Sequence, residues 1–262
     1  MENKKARILF FDEEVSPILA WTYGLWQTNV IKVEEHSHMF CFSYKWLEDK
    51  DIKCISQIDF PARFKADPND DTDVIKALWS LLDEADIVVG HNARGFDVKV
   101  AMGRFLVKGM TPPSPFKTID TLTVARSRFK FASNRLGELC KELNIGDKSE
   151  ETHSDLWYDC MHGNKESWDK MITYCKNDTY LLEQLYLKIR PYIFNHPNLA
   201  VISQHPDTCP KCGHDHFKSY GIRGLYRRLR CKKCGGWLRE RLFDKDAIKN
   251  EELLRPTYVN EG

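Results

Sequence analysis

Arg7-Ile-Leu-Phe-Phe-Asp-Glu-Glu14 sets four apolar residues directly before three carboxylates, and this stretch decides how the rest of the chain is read. An apolar run this short, bounded by charge, is the pattern of a buried strand. In an extended segment alternate side chains share a face, so Asp12 and Glu14 project together while Glu13 points away. Two carboxylates converging from one strand end repel each other and are comfortable only with a cation between them. An isolated Asp-x-Glu is equally the pattern of a solvated acidic turn, so it needs support from elsewhere in the chain.

Two more segments supply that support. Gly90-His-Asn-Ala-Arg-Gly-Phe-Asp97 follows the apolar Ile87-Val-Val89, which places Asp97 at the carboxyl end of a strand and the opening of a helix. Open α/β sheets build their sites there, although Asp is also a favoured helix cap. Tyr174-Cys-Lys-Asn-Asp178 spaces Tyr174 and Asp178 one helical turn apart. Flanking Trp168, Met171, Ile172, Leu181 and Leu182 put that face near the core, where an Asp is costly unless paired or metal-bound. Together Asp12, Glu14, Asp97 and Asp178 make a four-carboxylate set able to hold two divalent cations ~3.5–4 Å apart, as in-line phosphoryl displacement requires. Oxygen ligands alone favour Mg2+ or Mn2+ over Zn2+.

Around these segments the chain alternates. Residues 19–27 and 38–46 are aromatic and β-prone, and with 7–12 they predict three consecutive strands of an antiparallel meander. Helical spacing covers 72–84, 97–108, 134–144 and 165–189, and short strands are expected at 86–90 and 117–122. Strands first, then strands alternating with helices, is an α/β layout around a mixed sheet.

At the level of motif the chain resembles a known family. Phe11-Asp-Glu-Glu14, Gly90-His-Asn-Ala-Arg-Gly-Phe-Asp97 and Tyr174-x-x-x-Asp178 look like the three exonuclease motifs of the DEDDy 3′–5′ exonucleases. The similarity is greatest to the proofreading domain of family-B DNA polymerases and its stand-alone phage and bacterial relatives. It covers residues 6–190, including Thr118-Ile-Asp-Thr-Leu122 and Phe131-Ala-Ser-Asn-Arg-Leu136. The resemblance implies a ribonuclease H-like mixed β-sheet flanked by helices and stepwise release of nucleotides from a 3′ end. It further implies that Asp12, Glu14 and Asp178 ligate one metal, that Asp12 is shared with a second, and that Asp97 holds the second through waters. Tyr174 would orient the attacking water, Asn92 would contact the terminal nucleotide, and the main chain at Val15 would face its 3′-hydroxyl. Relatives usually carry an apolar residue where this chain has Glu13, which adds a charge beside the site but removes no ligand.

The 262 residues are 42% hydrophobic and 29% charged, an ordinary folded composition rather than a disordered one. No apolar run approaches ~20 residues, which excludes a helical membrane span at this level. Met1-Glu-Asn-Lys-Lys-Ala-Arg7 leads into few apolar residues before Asp12, so no secretory signal is expected. Nine cysteines without an export signal predict a reducing compartment, the bacterial or phage-infected host cytoplasm.

Cys209-Pro-Lys-Cys212 and Cys231-Lys-Lys-Cys234 fit a closed four-thiolate zinc site of structural type, with His214 and His216 left at the surface. The segment resembles zinc ribbons of transposase-like, transcription and replication proteins. Within 209–241 lie ten basic residues, Arg227, Arg228, Arg230, Lys232 and Lys233 among them, against Asp215 and Glu240. Tyr220, Tyr226 and Trp237 are interleaved and able to stack on bases. The expected organisation is an exonuclease domain at 1–195, a zinc ribbon at 205–241 and a charged tail at 242–262. Expected partners are DNA, with RNA as the alternative, and a DNA polymerase or other replication protein. A binding module on a nuclease scaffold is the non-enzymatic alternative.

Overall fold

A computed structural model describes residues 5–26, 28–147 and 155–242; the expected tail beyond 242 lies outside them. Ile8–Val15 (β1) carries the apolar run straight through the three carboxylates. Leu19–Trp21 (β2), Lys32–Glu35 (β3), Met39–Trp46 (β4) and Lys53–Ser56 (β5) follow, then helices Pro61–Ala66 (α1) and Thr72–Glu84 (α2). Next come Ile87–Gly90 (β6), Asp97–Val107 (α3), Lys117–Asp120 (β7), Thr121–Arg128 (α4), Leu136–Glu142 (α5) and Asp155–Met161 (α6). The long helix Lys165–Ile189 (α7) and the short Leu199–Ile202 (α8) lead to Phe217–Arg223 (β8), Tyr226–Cys231 (β9) and Trp237–Arg241 (β10).

Five strands form one mixed sheet in the order β5-β4-β1-β6-β7. The β5-β4-β1 half is antiparallel, whereas β1, β6 and β7 run parallel. Alternation along β1 divides the core in two. Ile8 and Phe10 pack against α5 and α7 through Leu139, Leu182, Leu185 and Tyr186. Leu9 and Phe11 pack on the other side with Ile75, Leu78 and Leu82 of α2 and Phe105 of α3. This is a doubly covered sheet, which is why the strands read as continuous apolar runs.

The expected meander is corrected in its middle. β1 pairs directly with β4, up to Val15 opposite Met39, and the third antiparallel strand is β5. Residues 19–21 pair instead with 32–35 in a separate two-stranded ribbon. Hydrogen bonds between Ser16 and His38 close the base of this excursion. Its aromatics stay in solvent, with Tyr23 84% and Trp26 94% exposed. β-Propensity alone does not say which sheet a strand joins.

One polar knot pins the α2–α3 side. Asp71 is fully buried and accepts from Arg104 at 2.6 Å and from the Met39 N–H at 2.9 Å. Burial works to raise its carboxyl, but the guanidinium and the amide outweigh burial and hold it below the ordinary carboxylate range. Asp71→Ala should cost about 3–5 kcal/mol, the loss expected when one partner of a buried pair is removed. A urea midpoint lowered at unchanged slope would read that loss. Because the folded carboxyl lies below its unfolded value, its contribution is present at neutral pH and fades as pH falls through the depressed value. The difference between variant and parent should therefore shrink in acid.

Candidate functional site

Strand parity builds the site. Asp12 and Glu14 continue the face of Ile8 and Phe10, toward α7, where Asp178 is buried. The structure brings Asp12, Glu14 and Asp178 together, with ligand oxygens all within 4.8 Å of one another. Tyr174, half-buried, precedes Asp178 by one turn of α7. A register shift at Glu14/Val15 bends the end of β1 beside the carboxylates. Behind them the Ser43 hydroxyl donates to the Cys175 carbonyl at 2.7 Å and lies 2.6 Å from Thr179 Oγ1, and Lys45 pairs with buried Glu183 at 2.6 Å. These contacts fix the rotation of α7 over β4 and so the height of Asp178.

Burial, then neighbouring Cys175, Asp97, Asp178 and Glu14, pushes the Asp12 carboxyl well above the usual carboxylate range. A divalent cation relieves that repulsion, and an all-carboxylate donor set suits Mg2+ or Mn2+. Asp97 lies outside the three-carboxylate group, buried as the first residue of α3. Burial raises it to about 7, with Asp120 adding to the shift. Glu13 lies on the other face of β1 from Asp12 and Glu14. It continues the face of Leu9 and Phe11, is buried, and neither carboxylate oxygen has a hydrogen-bond partner. Burial, with nearby Asp97 and Cys175, pushes its carboxyl well above the ordinary carboxylate range, so ionisation costs more there than in water.

The loop joining β6 to α3 is held tightly. Asn92 adopts a left-handed backbone (φ 72) at the surface. A Cβ on Gly95 would stand 2.4 Å from Asn92 Oδ1, so any larger residue there would displace the Asn92 side chain. The Asn92 and Arg94 amides each donate to Asp120 at 3.1 Å, and the same carboxylate caps α4 through the Thr123 N–H.

In the C-terminal segment Cys209 and Cys234 sulfurs are 3.7 Å apart and Cys212 and Cys231 sulfurs 3.6 Å. A tetrahedral zinc with bonds of ~2.3 Å spaces its sulfurs by roughly 3.8 Å, whereas a disulfide requires ~2.05 Å. The four thiols therefore fit zinc. The three strands β8–β10 form one antiparallel sheet whose faces differ. Cross-strand pairs Arg230↔Trp237, Arg228↔Arg239 and Lys218↔Arg230 collect cations and rings on one face. There Lys218 lies over Tyr220, and Arg239 over Tyr226, each at 5.2 Å. Arg227 projects from the opposite face, in an ion pair with Glu240 at 3.0 Å. Lys232 and Lys233 are exposed at the knuckle, as are His214 and His216 in part, stacked at 5.2 Å. The segment docks on the main body through Lys211, whose ammonium donates to the Pro191 carbonyl at 2.5 Å.

Comparison with known proteins agrees with this architecture. The profile of the RNase H superfamily matches residues 28–190, a span that holds Asp97, Tyr174 and Asp178 and begins after Asp12 and Glu14. The chain belongs to the RNase H superfamily. A PolC-type DNA polymerase III of Ureaplasma parvum is 37% identical over 68 residues, 26% of this chain and 5% of that protein. The DNA polymerase delta catalytic subunit of Schizosaccharomyces pombe is 27% identical over 88 residues, 34% of this chain and 8% of its own. The chain thus spans less than a tenth of the length of these relatives. The family B DNA polymerase of Pyrobaculum calidifontis shares the fold over 72% of this chain and 25% of its own, with TM-score 0.53 and 17% identity.

Within this RNase H-like domain Asp120 anchors the β6–α3 loop, a role that the segment Thr118-Ile-Asp-Thr-Leu122 does not by itself reveal. Its role rests on contacts to amides 26 and 28 positions earlier in the chain, which no local pattern announces. Asp120→Ala should leave two amides and a helix cap without an acceptor. A loss of ~1–3 kcal/mol is expected, with faster amide hydrogen exchange at Asn92 and Arg94 as the site-specific sign.

Proposed function

We propose that this chain is a metal-dependent 3′–5′ exonuclease that releases nucleotides from the 3′ end of DNA, single-stranded DNA above all. The observation that carries the reading is the convergence of Asp12, Glu14 and Asp178 within 4.8 Å on one face of an RNase H-like sheet, with Asp97 buried alongside. Asp12, Glu14 and Asp178 would hold one Mg2+ or Mn2+, with Asp12 reaching a second that Asp97 holds through water. Bound, the two cations would supply charge neutralisation for in-line displacement at phosphorus. The Tyr174 phenol, whose ordinary pKa near ~10 makes it a poor base, orients the attacking water. The main chain at Val15, at the bent end of β1, would face the 3′-hydroxyl of the terminal nucleotide, and Asn92, on the β6–α3 loop, would contact that nucleotide. The division into an exonuclease domain at 1–195 and a ribbon at 205–241 holding one structural zinc completes the reading, and the bacterial or phage-infected cytoplasm is its setting. A polymerase that leaves mispaired 3′ ends is the fitting partner.

The ribbon grips the strand through the Arg228, Arg230 and Arg239 face, where stacking rings alternate with phosphate-seeking cations. Lys232 and Lys233 extend that charge, while the Glu240 pair leaves Arg227 a lesser part.

A 5′-labelled single strand should shorten from its 3′ end in single-nucleotide steps only when Mg2+ or Mn2+ is supplied. The Asp12→Ala, Asp178→Ala double variant should leave it intact. Cleavage of RNA alone would transfer the activity to RNA, and binding without cleavage of either would make the chain a nucleic-acid-binding module. Separately, Arg228→Ala with Arg239→Ala should weaken binding and flatten its logarithmic salt dependence by about 0.7 for each phosphate that is no longer neutralised. An unchanged slope would remove the ribbon from the binding surface.

A further inference from the structure

A second group of sulfurs stands apart from the ribbon. Cys41 on β4, Cys54 on β5 and Cys175 on α7 bring their Sγ atoms within 4.8 Å of one another. Sheet register explains the meeting. Ser43 pairs with Cys54 across β4 and β5, and Ser43 touches α7, so Cys54 and Cys41 share the face that α7 covers. The same register aligns Cys41 with Glu14 and Ser43 with Asp12, which places the sulfurs one strand away from the carboxylates. Cys175 Sγ lies 3.5 Å from the Asp12 carbonyl oxygen and 3.3 Å from Ser43 Oγ. Phe40, Trp168 and Met171 pack around Cys41 and Cys175, with Ile58 and Phe64 at the edge. Cys41 and Cys175 are buried while Cys54 is half-buried, so an ion would enter over Cys54.

We propose that Cys41, Cys54 and Cys175 form a sulfur-only metal site for a thiolate-seeking d10 cation of the copper(I) and zinc class. Three bonds of ~2.3 Å arranged in a plane space sulfurs by roughly 4 Å, inside the spread seen here. Thiolates select this class of cation, whereas the neighbouring carboxylates select Mg2+ or Mn2+, so the two sites do not compete for one ion. Binding forms three metal–sulfur bonds and releases the three thiol protons to solvent. The Cys175 thiol then no longer donates to the Asp12 carbonyl or to Ser43. The ion ties β4 and β5 to the helix that carries Tyr174 and Asp178. The assignment stands on the sulfur geometry and is independent of the nuclease reading.

Cadmium is the probe, added to the reduced full-length chain and followed by 113Cd nuclear magnetic resonance and by the thiolate-to-metal charge-transfer absorbance. The parent should show two cadmium signals, one from the ribbon and one from the three-sulfur site, and should melt at higher temperature with both filled. Cys54→Ser, at the half-buried position, should lose the second signal and keep the ribbon signal, which also certifies that the variant folds. Cys41→Ala should do the same. A single signal in the parent, or a second signal that persists in both variants, would overturn the site. So would a disulfide among these three cysteines in place of any cadmium signal.

Discussion

Strand β1 is covered on both sides, so each of its residues must enter one of two packed layers. Phe10 and Phe11 are both fully buried, which leaves the strand no freedom to rotate or slip. A shift of one residue would send Asp12 and Glu14 into the layer of Leu78 and Phe105 and bring Glu13 toward Asp178. The apolar half of the strand therefore sets the aim of its acidic half. Everything else about the carboxylate cluster, from the pitch of α7 to the Ser43 and Lys45 contacts beneath it, serves to present Asp178 to that one face.

Legibility follows the range of the interactions involved. β1, α2, β6, α3, β7 and α7 are readable because each buries a face whose period is written in its own residues. The convergence of Asp12, Glu14 and Asp178 has a related reason: an Asp such as Asp178, midway along an apolar helix face, is costly unless paired or metal-bound. Residues 19–26 mislead because Trp21, Tyr23 and Trp26 carry the composition of a strand, while the closure of Ser16 on His38 removes them from the main sheet. β5 offers no apolar run, since Lys53-Cys-Ile-Ser56 takes its strand character from β4. Asp120 and the Cys41, Cys54 and Cys175 cluster depend on pairings across the fold, and such contacts leave no local period.

The net charge of +1 conceals a division of labour. Segment 209–241 carries ten basic residues against two acidic, leaving the rest of the chain at −7. On the proposed function, part of that negative charge is answered by bound cations, and the basic segment answers the phosphates of the strand. The structure sharpens this further, because Arg227 is neutralised in place by Glu240 while Arg228, Arg230 and Arg239 share a face with aromatic rings. On the proposed function the gripping surface is a face of one sheet rather than the whole basic segment.

Glu13 shows how the same alternation contains a residue that would otherwise harm the site. Its carboxyl enters the apolar layer beside Asp97, where ionisation would require both desolvation and a like charge at close quarters. Both costs fall on the anion and favour the protonated form. Folding bears a cost as well, since a buried carboxyl with two unpartnered oxygens is less stable there than an aliphatic side chain of similar size. Metal filling of the neighbouring carboxylates would lower the local negative potential and ease that burden without recruiting Glu13 as a ligand. Strand parity alone is enough to send three adjacent acids into two different environments.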